Sequence, residues 1–333
     1  YLLTPLRLAW SGVDLFFVLS GFLIARFLVA HRDTKDLCRH FLYRRAFRIL
    51  PVYLPMFALF LGGVVLHRQG IIDMPKLFGS ADGLWTYALF LQNFWYALHG
   101  VQLNFFSVSW SLSIECQFYL VFPFLVLAIR DNRKLMLILS VLAILAPLQR
   151  MGLEFIAPEV ARSANNVLPT ARTEGLALGA LIAVWERMAY RDAGRRSGTH
   201  VACCLLLVST VLMALAVIRS GMYGPLLYTV TAVYYAALLF AVRCDVRPLV
   251  RFFSQGWLRG LGKISYSAYL VHMPVLGLLA AISGFPDVDL VGPKPRWITG
   301  AATMITLILS VALFKWIEGP ANEFARRQFR FGD

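Results

Sequence analysis

Residues 107–123 read SVSWSLSIECQFYLVFP, an apolar, aromatic-rich stretch with one carboxylate, Glu115, inside it. The stretch runs on to Ile129 without another charge, which is long enough to cross a bilayer. An acidic side chain at the centre of a spanning helix costs about 2.5–3.5 kcal/mol on insertion scales, so it usually faces a partner, a cavity or a substrate. Ser111, Glu115 and Tyr119 follow i, i+4, i+8 spacing and share one helix face, with Trp110 beside them. Glu115 is therefore either a functional carboxylate or structural glue that hydrogen-bonds a neighbouring helix.

Three further segments carry candidate chemistry. In GVDLFFVLSGFL, residues 12–23, Asp14 is the one acid, and Ser20 with Gly21 forms a small pair that admits another helix or a ligand to the backbone. Asp14, Glu115 and Arg172 (in LPTARTEGLALGA) sit at a similar depth, about 8 Å inside the outer boundary at 1.5 Å per residue. They could line a polar cavity open to the outside or form a buried ion triad. In FLYRRAFRILP, residues 41–51, Arg44, Arg45 and Arg48 either set topology against lipid headgroups or clamp phosphate oxygens with their guanidinium forks. In KISYSAYLVHMPV, residues 263–275, His272 follows Ser265, Tyr266 and Tyr269 towards the bilayer middle, and Pro274 predicts a kink. His272 is a base or proton relay, or else a neutral hydrogen-bonding spacer. The His31-to-Asp36 match to an H-x4-D acyltransferase pattern is too short to count alone. Cys38, Cys116, Cys203, Cys204 and Cys244 have no metal-ligand spacing and an odd count, so they read as reduced and structural, and no metal site is expected.

The elements that must position these residues are membrane helices. Of the 333 residues, 59% are hydrophobic and 15% charged, and the mean hydropathy is +0.67. A soluble domain carries closer to a quarter charged residues, so a soluble globular enzyme is excluded. Nine segments reach spanning length: 8–30, 47–67, 108–129, 134–150, 168–188, 200–219, 225–243, 263–283 and 297–317. The stretch 84–98 is short and aromatic, and suits an interfacial or re-entrant segment. With nine spans, 21 Lys and Arg fall in connections on one side and 7 on the other. The positive-inside rule then makes the C-terminus cytoplasmic and places Tyr1 outside. The net charge of +14 is thus explained by topology rather than by nucleic acid. The chain opens without Met, and the odd span count predicts one missing preceding helix.

Five stretches in order, GVDLFFVLSGFLI, RRAFRILPVY, WSLSIECQFYLVFP, ISYSAYLVHMPV and WIEGP at 316–320, resemble the acyltransferase-3 family of integral membrane acyltransferases. The resemblance implies an all-α polytopic transmembrane bundle of about nine spans here, ten in the full-length protein. It implies one membrane domain over 1–333, N-terminally truncated and without an extramembrane domain. The family's first helix carries a basic residue and, about ten positions on, a histidine taken as the base; neither is found before Tyr1. The implied reaction moves an acyl group, most commonly acetyl, from a cytoplasmic acyl-CoA to a hydroxyl of an extracytoplasmic carbohydrate or glycolipid. Acyl-CoA is then a co-substrate and no cofactor is required. Catalytic roles fall to Glu115, Asp14 and His272, and donor phosphates to Arg44, Arg45 and Arg48. Ser20, Trp110, Ser111, Tyr119 and Arg172 contact substrate. The implied location is a bacterial inner membrane. A transporter or flippase is the rival reading, but transporters often show two related halves, and no such halving is visible. A non-enzymatic membrane assembly partner is the third.

Overall fold

A computed structural model describes residues 9–80, 82–192, 198–219, 224–284 and 296–329, and among them every regular element is helical. Tyr1 lies outside the described residues. After a turn at Ala9–Ser11 come α1 (Gly12–Ala30) and α2 (Leu37–Arg68). Three short helices follow, α3 (Pro75–Phe78), α4 (Leu84–Ala88) and α5 (Gln92–His99). Next are α6 (Ser109–Ala128), α7 (Asn132–Ile156), α8 (Pro158–Val167) and α9 (Pro169–Asp192). Then come α10 (Thr199–Arg219), α11 (Pro225–Arg243) and α12 (Arg247–Phe253). The last are α13 (Gly256–Ile282) and α14 (Arg296–Leu313), which continues through a π turn at Phe314–Glu318 into α15 (Gly319–Gln328).

Among the described residues nine helices are long and apolar enough to cross a membrane, in the expected order. The 84–98 stretch is two helices of five and eight residues, separated by a break at which Phe90 takes φ +55°. Neither reaches spanning length. Hydropathy closed several helices too early, because the ladder of backbone hydrogen bonds does not stop at a charge. The arginines of 44–48 lie on α2 rather than ahead of it, and α13 begins at Gly256. Arg150, assigned to a connection, lies inside α7, which ends where Pro158 forbids a further backbone bond.

The helices form two compact units, Cys38–Ser113 with Gly256–Asp333 and Leu8–Leu37 with Ile114–Gln255. In the second, α1 and α9 touch backbone to backbone. A Cβ on Gly21 would lie 2.0 Å from the Leu176 carbonyl oxygen, and one on Gly179 the same 2.0 Å from that of Val18. Gly175 and Gly179, four apart, present the small-residue face that lets membrane helices approach this closely. Buried charges tie α7 and α11 to that pair. Arg172 on α9 bonds Asp14 on α1 at 2.8 Å, and Thr231 on α11 donates to the other Asp14 oxygen at 2.8 Å. Arg150 on α7 has no exposed surface and meets Glu174 on α9 at 2.9 Å. Its remaining donors reach Thr229 at 2.6 Å, the Pro225 carbonyl at 2.8 Å and the Ala171 carbonyl. The Tyr228 ring covers both guanidinium groups, 4.1 Å from Arg172 and 5.6 Å from Arg150.

In the first unit, α3 and α4 fold against α2 through tilted and edge-on ring contacts, with Tyr53, Phe60, Tyr87 and Phe106 buried. Their polar ends are satisfied internally. Tyr53 donates to the Tyr87 carbonyl at 2.8 Å, and the Tyr87 and Tyr96 hydroxyls meet at 2.5 Å with the Asn104 amide 3.0 Å from Tyr87. Burial pushes both phenols above the usual tyrosine range, so they remain protonated donors.

Gly179→Leu is expected to cost about 2 kcal/mol or more, because a carbonyl oxygen rather than a movable side chain blocks the new atom. It should lower the melting temperature of the detergent-solubilised protein, whereas Gly62→Ala, with nothing within 4 Å, should not. Arg150→Met should cost about 3–5 kcal/mol by stranding Glu174, and Arg150→Met/Glu174→Met should recover most of it. A double-variant loss equal to the sum of the Arg150→Met and Glu174→Met losses would show that the pair is not coupled.

Candidate functional site

Glu115 is 3% exposed on α6. Ser20 of α1 donates to its Oε1 at 2.5 Å, and the Tyr119 hydroxyl donates to the same oxygen. Tyr119 reaches it because residues four apart stand one above the other on a helix. Ser20 reaches it because the contact of its neighbour Gly21 with α9 fixes the lie of α1. Two hydrogen bonds from hydroxyls hold the carboxyl group in one rotamer and offset part of the cost of burying it. Both use Oε1, so the acceptor capacity left over is concentrated on Oε2.

The depth estimate grouped Asp14, Glu115 and Arg172. The structure divides them: Asp14 takes Arg172 as its ion-pair partner, and Glu115 takes hydroxyls. A lone three-charge triad is therefore not what the helices form. Asp14 and Arg172 belong instead to a four-charge cluster with Arg150 and Glu174, two positive and two negative. Sequence reasoning missed Arg150 and Glu174. A signal was present: a second acid stands two residues after Arg172 in LPTARTEGLALGA, and Arg150 directly follows an apolar run.

In the first unit, Ser111 points to Tyr269 of α13, 2.5 Å away. Both hydroxyls also face the Val108 carbonyl, Tyr269 at 2.7 Å and Ser111 at 3.4 Å, so the two side chains share one backbone acceptor. Trp110, one residue earlier, is half-buried. The half-buried ring of His272 places Nδ1 2.7 Å from the Tyr269 carbonyl. A carbonyl accepts only, so in the neutral ring Nδ1 carries the proton and Nε2 presents its lone pair.

Arg44, Arg45 and Arg48 of α2 are half-buried and do different things. Arg44 donates to the Phe329 carbonyl at 2.8 Å and points to that of Arg326, fastening the end of α15. Arg45 lies 5.3 Å from the Phe41 ring centroid. Arg48 acts electrostatically on Glu318, a buried acid of the WIEGP segment that accepts from Ser267 at 2.7 Å. Tyr266 donates to the Ile49 carbonyl at 2.7 Å, so three of the quoted segments meet here. Ser267 and Glu318 were within those segments but were not singled out, since neither has a spacing partner along its own helix. Among the described residues no group of three His, Cys, Asp or Glu could hold a metal ion.

Comparison with known proteins completes the description. The acyltransferase-3 family profile, described as "Acyltransferase domain", matches residues 8–315. The chain is 26% identical over 339 residues to "O-acetyltransferase OatA" of Staphylococcus aureus, covering 96% of this chain and 54% of the relative. It is 28% identical over 344 residues to "Putative peptidoglycan O-acetyltransferase YrhL" of Bacillus subtilis, covering 96% and 52%. To "Peptidoglycan O-acetyltransferase OatA" of Listeria monocytogenes it is 26% identical over 340 residues, covering 96% and 53%. The chain thus spans about half the length of these curated relatives. No solved structure matches it. Five segments in family order, a membrane-helix architecture and a profile match over nearly the whole length agree: the chain belongs to the acyltransferase-3 family.

Proposed function

We propose that the protein transfers an acetyl group from a cytoplasmic acyl-CoA to a hydroxyl of an extracytoplasmic carbohydrate, with peptidoglycan as the acceptor. The observation that carries this reading is Glu115, an intramembrane carboxylate held by the hydroxyls of Ser20 and Tyr119 in a chain of this family. Acetyl and peptidoglycan are suggested by the names of the Bacillus and Listeria relatives. The basic connections favour a bacterial inner membrane with the C-terminus in the cytoplasm.

In the reaction the acceptor hydroxyl gives its proton to a base while its oxygen attacks the thioester carbonyl carbon. A C–O bond forms, the C–S bond breaks, and coenzyme A leaves as a thiolate that takes up a proton. Glu115 orients the base or the acceptor hydroxyl through Oε2, and Ser20 and Tyr119 act by holding it. His272 Nε2 is a proton acceptor in the tautomer its carbonyl contact selects. Arg45 and Arg48 receive the donor phosphates, and Glu318 steadies Arg48. Asp14 and Arg172 fix α1, the helix that carries Ser20, against α9.

Transfer of labelled acetyl from acetyl-CoA to peptidoglycan fragments by the purified full-length protein tests the reading. Glu115→Gln should lower kcat by about 10²–10⁴-fold, the range of a lost acid–base contribution, with an unchanged melting temperature. Undiminished transfer would remove Glu115 from the mechanism. Arg45→Ala/Arg48→Ala should raise the KM for acetyl-CoA about tenfold or more while kcat changes less. An unchanged donor KM would end the phosphate assignment and leave the Glu115 result standing.

A further inference from the structure

Along α2 runs a groove of about 410 Å³ lined by Ala46, Phe47, Leu50, Pro51, Leu54 and Pro55, all apolar. Their i, i+1, i+4, i+5, i+8, i+9 spacing makes the groove a stripe down one helix face. The prolines account for the hollow. Each lacks an amide hydrogen, and each ring crowds the carbonyl four residues before it, which loosens the helix ladder along this face. The volume suits a small-molecule ligand rather than a packed helix.

The stripe continues towards the start of α2 through Tyr43, and there α15 lies across it. Phe329 stacks on Tyr43 with centroids 4.7 Å apart and planes at 6°. Phe324 and Phe329 also contact Phe47, at 5.3 and 6.2 Å, so the ring that lines the groove is shared with the α15 contact. The end of α15 is thereby placed at the mouth of the groove. Three arginines lie on that side. Arg44 holds the Phe329 carbonyl, Arg39 lies 5.9 Å from the Tyr43 ring centroid, and Arg326 acts electrostatically on Arg44. The acid of α15, Glu323, pairs with Arg327. Like charges placed as Arg44 and Arg326 are repel unless an anion sits near them. Trp316, strongly exposed just before α15, is the residue type that anchors at the membrane–water boundary.

The geometry points to a phospholipid site: an anionic headgroup phosphate among Arg39, Arg44 and Arg326, with one acyl chain in the α2 groove. The site is separate from the donor assignment and does not rest on it. At about 100° per residue, Arg48 and Arg45 lie roughly 40° and 100° further round α2 from the groove than Arg44.

The test uses the full chain in nanodiscs of phosphatidylglycerol and phosphatidylcholine, with retained lipid identified by native mass spectrometry. Phosphatidylglycerol should be retained in preference. Arg39→Gln/Arg326→Gln should reduce that preference about fivefold for each cation removed. Leu54→Trp, which fills the groove, should abolish retention, and Leu54→Ala, which does not, should leave it intact. No preference between the lipids, or a preference that the arginine variant leaves unchanged, would overturn the proposal. Coenzyme A supplies the other source of phosphate. If it displaces the retained phosphatidylglycerol from the native chain, the cations belong to a nucleotide site and the lipid assignment fails.

Discussion

A charge buried between membrane helices has no water to turn to, so its counter-charge has to come from the protein. In the second unit that requirement is met twice, by Asp14 with Arg172 and by Arg150 with Glu174. Within each pair the partners come from different helices, so the two pairs join α1, α7 and α9, and Thr229 and Thr231 bring in α11. The hydroxyl of Thr229 and the carbonyls of Ala171 and Pro225 take up the other donors of Arg150, and Thr231 takes the second oxygen of Asp14, bonds of the kind that make a buried pair tolerable. Loss of one member would leave its partner uncompensated in a cluster that four helices share.

Much of this could be read before any coordinates. The nine apolar segments follow from length and hydropathy, and Tyr119 meets Glu115 as the i, i+4 spacing requires. Asp14 and Arg172 were brought together by depth alone. Depth says nothing about azimuth, however, which is why Glu115 was wrongly added to that pair. The sequence-based reading lost Arg150 because a hydropathy window closes on a charge that the helix simply includes. Ser111 illustrates a different limit. It shares a helix face with Glu115, yet its partner is Tyr269, some 158 positions away, and no local spacing encodes a contact at that range.

The first unit shows how separate segments converge on a few polar atoms. RRAFRILP, ISYSAYLVHMP and WIEGP are distant in sequence, but Tyr266 reaches the Ile49 carbonyl and Ser267 reaches Glu318. The π turn at Phe314–Glu318 precedes Gly319 and Pro320, so a wide helical turn delivers the Glu318 carboxylate inward at the point where α15 begins. The arginines three and four residues apart on α2 therefore serve different neighbours. One fastens the end of α15 and another faces its first turn, a distinction that their spacing alone does not reveal.

Ser20 stands immediately before Gly21, the residue at which α1 rests against the backbone of α9. Most side chains in a protein owe their location to neighbouring side chains, which yield by rotating. Here the stop is a peptide carbonyl, which cannot rotate away. The hydroxyl that holds Glu115 is consequently referenced to main chain, much as a machined part is referenced to a hard shoulder rather than to a spring. Drift in the apolar packing around it, whether from temperature, lipid composition or sequence change at the periphery, is poorly transmitted to that one oxygen–oxygen distance.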